Sequence, residues 1–145
     1  MNAEDVDKNV WKNGPDDLLL SALNKFPIVG EFLDLGCGDG EDSKFMAKNG
    51  FKVIAVDRSM EGLNNINHFA EKNNLEITTV YGNILDFIIE KNKYSLISVS
   101  NVLNFLKKKW ALKVINDVKN GLKKGGIVII RGFTTEDPFF IKNNE

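Results

Sequence analysis

The chain has 145 residues, 43% apolar and 27% charged, and 19 basic side chains against 20 acidic ones leave a net charge of −1. That length is about one domain with enough apolar material for a true core, and the charge balance argues against a surface built to grip nucleic-acid phosphates. A single cysteine excludes an internal disulfide, no apolar run is long enough to span a bilayer, and the acidic, polar start from Met1 to Asp7 is unlike a secretory signal. These features predict a soluble cytoplasmic protein with no membrane partner.

In chain order, residues 1–13 read as an N-terminal arm. Gly14-Pro15-Asp16-Asp17 then forms a turn that opens a helix, with carboxylates at the positive end of its dipole. Leu18, Leu19, Ala22, Leu23 and Phe26 stripe that helix, and Pro27 stops it. Glu31 to Leu35 reads as a strand, Gly36 to Gly40 as a loop, and Asp42 to Asn49 as a helix ending at Gly50. Lys52 to Asp57 is a second strand, rich in β-branched residues. Ser59 caps a helix carrying Leu63, Ile66, Phe69 and Ala70, which ends near Asn73-Asn74. Glu76 to Tyr81 and Tyr94 to Val99 are the third and fourth strands. Trp110, Val114, Ile115, Val118 and Leu122 stripe a helix that stops at Lys124-Gly125-Gly126, and Ile127 to Ile130 is the fifth strand. Short apolar strands alternating with helix-length segments predict βαβ units, hence a Rossmann-like three-layer α/β sandwich with a mostly parallel sheet. Residues 1–145 form one domain on this reading, with 133–145 as a C-terminal tail.

Ligands of such sheets bind beyond the carboxyl ends of the strands. The first strand here runs into Asp34-Leu35-Gly36-Cys37-Gly38-Asp39-Gly40, and Asp57 closes the second strand. A carboxylate at that point suits the two hydroxyls of a ribose, so a nucleoside ligand is expected. The dinucleotide pattern G-x-G-x-x-G is imperfect, because the third glycine falls one place early at Gly40. Charge discriminates further. Asp34, Asp39, Glu41 and Asp42 surround the loop, and no basic residue follows before Lys44. Like charges about 4 Å apart near a surface repel by on the order of 4 kcal/mol, so a pyrophosphate is disfavoured. S-adenosylmethionine (SAM) carries a sulfonium, an ammonium and one carboxylate, and suits acidic walls; loop amides and the helix start are available to its carboxylate.

Phe32 to Ser43, FLDLGCGDGEDS, resembles the first motif of class I SAM-dependent methyltransferases. VIAVDRS, VYGNILDF, YSLISVSNVLNFL and LKKGGIVIIRGF resemble the motifs of the next four strands, in the right order. WKNGPDDLL and TTEDPFF make the chain most similar to the tellurite-resistance and thiopurine-type small-molecule methyltransferases. The resemblance implies a cofactor site in which Asp34, Gly36, Cys37 and Gly38 surround the methionine part and Asp57 holds the ribose. It sets Arg58 beside the adenine, with Asn83 and Ile84 in contact with it, and Ser100 and Asn101 near the sulfonium. It lets Trp11 close from the arm as a lid over the cofactor, or equally as a lid over the core. The class usually continues into an antiparallel hairpin, which the 13 residues after Gly132 are too few to form. The fifth-strand edge is then expected to be covered by Phe133 to Ile141 or by a second copy of the chain, giving a homo-oligomer.

Plainer roles stand beside these. Asp57 could cap a turn, and Asp34 could bind loop amides. Cys37 has no histidine near it in sequence to make it a nucleophile. His68 reads as an outer-face residue, Lys107 to Lys109 as a solvated helix start, and Phe139-Phe140 as packing. With one histidine and one cysteine, no metal site is expected. Asn101 is not followed by Pro-Pro, so the signature of amino-methylating nucleic-acid enzymes is absent. The expected activity is methyl transfer from SAM to a small molecule, a soft nucleophile or an oxyanion. The alternatives are a nucleotide-dependent oxidoreductase, a non-catalytic SAM-binding module or truncated core, and an RNA or protein methyltransferase.

Overall fold

A computed structural model describes residues 14–132. The helices are α1 (Asp17–Lys25), α2 (Glu41–Lys48), α3 (Met60–Asn73) and α4 (Lys108–Gly121). The strands are β1 (Glu31–Leu35), β2 (Lys52–Asp57), β3 (Ile77–Tyr81), β4 (Tyr94–Ser100) and β5 (Leu122–Arg131). The sheet order is β3-β2-β1-β4-β5, and every neighbouring pair is parallel. The Rossmann-like reading therefore holds, and strand order reverses between β1 and β4, where the carboxyl ends open a crevice. Among the described residues β5 is an edge strand with no antiparallel neighbour, and Val128 and Ile130 are exposed. Trp11, the arm and the segment expected to cover that edge lie outside the described residues.

The two-residue period of the strands sorts the core into two layers. Phe32, Val53, Leu96 and Ile129 face Leu19 and Ala22 of α1 and Phe45, Met46 and Ala47 of α2. Ala55 of the same face packs on Leu63 and Ile66 of α3. Leu33, Leu35, Val56, Ile97 and Val99 point the other way, onto Val114 and Val118 of α4 and the segments around Ile84 and Val102. Asp16 caps α1 by accepting from Leu18 N at 2.7 Å, and Ser59 Oγ caps α3 by accepting from Gly62 N at 3.2 Å.

Three details depart from the pattern in the sequence. α4 ends at Gly121, before the Lys124-Gly125-Gly126 stop, and Leu122 already belongs to β5. Leu122 pairs with Tyr94 and packs into the lower layer, and a register shift then brings Ile127 opposite Leu96. Tertiary pairing overrides helix continuation here. On the helices, Leu18, Phe26, Trp110 and Ile115 belong to the apolar stripes but remain exposed. Leu19 with Ala22, and Val114 with Val118, carry the burial at i, i+3 and i, i+4 spacing. No helix among the described residues is long and apolar enough to cross a membrane.

Candidate functional site

Two clefts open at the carboxyl ends of the strands and share Gly36 as a common wall. The first, about 350 Å³, is acidic: Asp16, Asp17, Asp34, Asp39, Glu41 and Asp42 line it, with Arg131 as its one cation and Cys37 and Ser100 on its floor. The second, about 290 Å³, is a largely apolar slot lined by Asp57, Arg58, Asn83, Ile84, Asn101, Val102, Phe105 and Leu106. Gly36 (φ +76°) borders both, packed so closely on Val102 that a Cβ there would stand 2.4 Å from its Cγ2. Gly40, the early third glycine, opens α2 at φ +79° with its bare Cα against Ile66, where a Cβ would lie 2.3 Å from Cγ1.

The loop is tied down by its own backbone and by two carboxylates. Gly36 N and Cys37 N donate to Val56 O at 2.8 and 3.1 Å, and Gly40 N donates to Cys37 O at 2.9 Å. Asp57 Oδ2 accepts from Gly38 N at 2.8 Å, while Oδ1 accepts from Ser59 N at 2.7 Å. Both the turn-capping role and the slot-lining position of Asp57 are therefore real; each oxygen keeps a further lone-pair direction. Asp34 is buried and accepts from Ser43 Oγ at 2.6 Å, which fixes the first turn of α2 over β1. Burial, then the Asp42 charge, push its carboxyl up to about 7. Asp42 is likewise raised, chiefly by burial. Desolvation is the largest cause for both; for Asp42 the hydrogen bond from Asp16 N opposes it, and neighbouring acids add to it.

The mouth of the acidic cleft is closed by residues distant in sequence. Asp16 N donates to Asp42 Oδ1 at 2.8 Å, and Arg131 Nη1 pairs with Asp16 Oδ2. The Arg131 backbone is fixed in turn, because its carbonyl accepts from Asn101 N at 2.8 Å. Asn101 sits at φ +56°, an uncommon conformation for a side-chain-bearing residue, at the point where β4 leaves the sheet. In the slot, Asn83 Oδ1 accepts from Leu85 N at 3.0 Å, which leaves its amide N–H groups as donors.

The family model described as "Tellurite resistance protein TehB" matches residues 20–141. The chain belongs to the TehB family. It is 31% identical over 106 residues to "Probable S-adenosyl-L-methionine-dependent methyltransferase TehB" of Haemophilus influenzae, covering 72% of this chain and 37% of that protein. The chain thus spans well under half the length of this curated relative. The crystal structure of TehB from Haemophilus influenzae superposes with a TM-score of 0.68 at 30% identity, over 79% of this chain and 39% of that one. An S-adenosylmethionine-dependent methyltransferase from Clostridium acetobutylicum gives a TM-score of 0.68 at 26% identity, over 88% of this chain and 51% of that one.

In this TehB-family chain, ten of the eleven residues named from the sequence lie within the described structure, and nine of those line the two clefts. Asp34, Gly36, Cys37 and Ser100 line the acidic cleft. Gly36, Asp57, Arg58, Asn83, Ile84 and Asn101 line the slot. Ser100 and Asn101, expected together, fall on opposite sides of the junction. Gly38 lines neither cleft, and its amide donates to Asp57. The expectation that loop amides are available to a carboxylate also fails for Gly36, Cys37, Gly38 and Gly40, all of which donate within the fold. Burial and the charges of Asp34 and Asp57 push the Cys37 thiol well up, so it is not a poised nucleophile. His68 is exposed on α3, and Lys107 to Lys109 are exposed at the start of α4, as expected. No metal-binding cluster occurs among the described residues.

The sequence reading missed Asp16, Arg131, Val102, Phe105 and Leu106 as cleft residues. The acids of Gly14 to Asp17 were legible as a helix start, and Phe105-Leu106 as an apolar pair after β4. Arg131 gave no signal, since its partner is 115 positions away.

Proposed function

We propose that this chain binds SAM across both clefts and transfers its methyl group to a small-molecule acceptor, either a soft nucleophile or an oxyanion. The observation that carries this reading is the junction at Gly36, where a cleft lined by six carboxylates meets an apolar slot edged by Asp57. A ligand that fits both has a cationic end and a nucleoside end. The residues present suit SAM: the remaining lone pairs of Asp57 for the ribose hydroxyls, and Ile84, Val102 and Leu106 for the faces of the adenine. Asn83 offers amide N–H groups to a ring nitrogen, and the acidic wall answers the ammonium and sulfonium. A nicotinamide dinucleotide would set its diphosphate among those same acids.

SAM, when bound, supplies a methyl group on a positively charged sulfur that leaves readily. The protein's part is to orient that end, hold the acceptor about 3–3.5 Å away and keep water out. Ser100 and Asn101, at the end of β4, border the junction where the two partners would meet. No cleft side chain is assigned as a general base. Asp34 is buried against Ser43, and the Cys37 thiol is held protonated. A thiolate-like or oxyanionic acceptor needs no base, which supports that acceptor class.

Calorimetric titration with SAM, its demethylated product and NAD tests the cofactor. SAM and its product should bind and NAD should not; binding of NAD alone would overturn the reading. A labelled-methyl assay over thiols, selenium and tellurium oxyanions, and tRNA then tests the acceptor. Label on tRNA alone would replace the small-molecule acceptor with RNA, and cofactor binding without transfer to any of them would make the chain a binding module.

A further inference from the structure

Resting on the cofactor reading above, we infer that Arg131, at the end of the edge strand, is the residue that receives the α-carboxylate of the cofactor's methionine part. The methionine end of SAM is a zwitterion. Its ammonium and sulfonium are answered by acids throughout the cleft, but its carboxylate enters the same acids and needs a donor there. The loop offers little. The amides of Gly36, Cys37 and Gly40 donate to backbone carbonyls, and that of Gly38 donates to Asp57.

The opening of α1 offers little more. Pro15 has no amide hydrogen, Asp16 N donates to Asp42, and Leu18 N donates to the Asp16 side chain. The first turn of α2 is flanked by Glu41 and Asp42, which repel an anion from its amides. The group that answers the carboxylate's charge is the guanidinium of Arg131, the sole cation among the described residues that line this cleft.

Its geometry suits the task. Arg131 pairs with Ser100 in the β4–β5 register, and its carbonyl is held by Asn101 N at 2.8 Å, so the side chain starts from a fixed point beside the junction. Among the described residues only Nη1 is bonded, to Asp16, and the side chain is 44% exposed. A guanidinium has five N–H donors in a planar fork, the shape that takes a carboxylate on two parallel bonds. Asp16 keeps the fork oriented, and the remaining donors are available to the ligand.

Four ligands distinguish this role from a merely structural clasp: SAM, S-adenosylhomocysteine, decarboxylated SAM and methylthioadenosine. The first two carry the carboxylate and the last two do not. In Arg131→Gln, affinity for SAM and S-adenosylhomocysteine should fall about 10- to 100-fold, the range for a lost hydrogen bond to a charged group. Decarboxylated SAM and methylthioadenosine should stay within about twofold. Equal loss on all four ligands, or no loss on any, would overturn the assignment. Retained methylthioadenosine binding also certifies the fold of the variant. If Arg131→Gln does not fold, Arg131→Lys keeps the charge without the fork and should show the same selective, smaller loss; an unselective loss overturns the assignment there too. Wild-type protein that binds none of the four would overturn the cofactor reading itself, whereas wild-type binding with an indifferent Arg131 overturns this inference alone.

Discussion

The two clefts that meet at Gly36 are built by opposite means. The slot is made of side chains between Gly36 and Leu106 whose packing also serves the lower core, with Ile84 buried and Val102 and Leu106 leaning on the same cluster. It would stabilise the fold whether or not a ligand enters. The acidic cleft does the reverse. It crowds six carboxylates, raises Asp34 and Asp42 from their ordinary values, and is closed by contacts spanning 26 and 115 positions. Its crowding is relieved only in part by Arg131. One half of the site is thus supported by core packing, and the other is held together against the repulsion of its own acids.

The sharpest way to break that division is at its wall. Gly36→Ala combines a positive φ with a Cβ 2.4 Å from Val102, and should cost about 2–5 kcal/mol in urea unfolding. Gly38→Ala, at φ +56° but with open space around it, should cost only about 1–2 kcal/mol. Equal losses would mean that Val102 yields and that the wall is soft.

The next effect is on pH. Native Asp34 keeps its proton up to about 7, whereas the unfolded side chain releases it near 3.8. Between those values the native state binds more protons, so stability falls as pH rises through the window, by about 4 kcal/mol at most. Asp42, also raised, acts in the same direction. The thermal midpoint should be higher at pH 5 than at pH 8, and Asp34→Asn should flatten the difference. A midpoint that climbs from pH 5 to pH 8 in the wild type would show that the acidic cleft is not strained.

Asp57→Ala removes the acceptors for Gly38 N and Ser59 N along with the proposed ribose contact. Affinity for SAM and methylthioadenosine should fall together by about 1.5–3 kcal/mol. Unchanged affinity would move the ribose elsewhere. The smallest effect is expected in the slot: Ile84→Ala should weaken both ligands by about 1 kcal/mol through lost apolar contact. A loss confined to SAM would place the methionine part, not the adenine, against Ile84.

Much of this was legible in the sequence, for physical reasons that differ by element. The short apolar runs of β1 and β2 and the capped stripe of α3 are local patterns, and the fold buries Phe32, Leu33, Leu35, Val53, Val56, Leu63, Ile66 and Ala70 from them. Leu122 was misread because a helix-period residue was claimed by strand pairing with Tyr94. Trp110 looks like core by spacing, yet it lies at the start of α4 with Lys109 Nζ 4.7 Å over its ring, 40% exposed. At the site, the acids of the glycine loop announced themselves by composition. The consumption of the loop amides could not be seen, because it depends on where Val56 O and Asp57 fall across the sheet. Nor could Asp16 and Arg131 be paired without the strand order that brings the first helix beside the last strand.

That last pairing has a consequence for how the molecule comes into being. During synthesis every residue lining the slot has been made once Leu106 has emerged, but Arg131 is still 25 codons away. Until it arrives, the nascent chain carries the carboxylates of α1 and α2 with no counter-cation in their cleft. The residues of the apolar slot are therefore made first, and the acidic cleft gains its cation only when β5 is made.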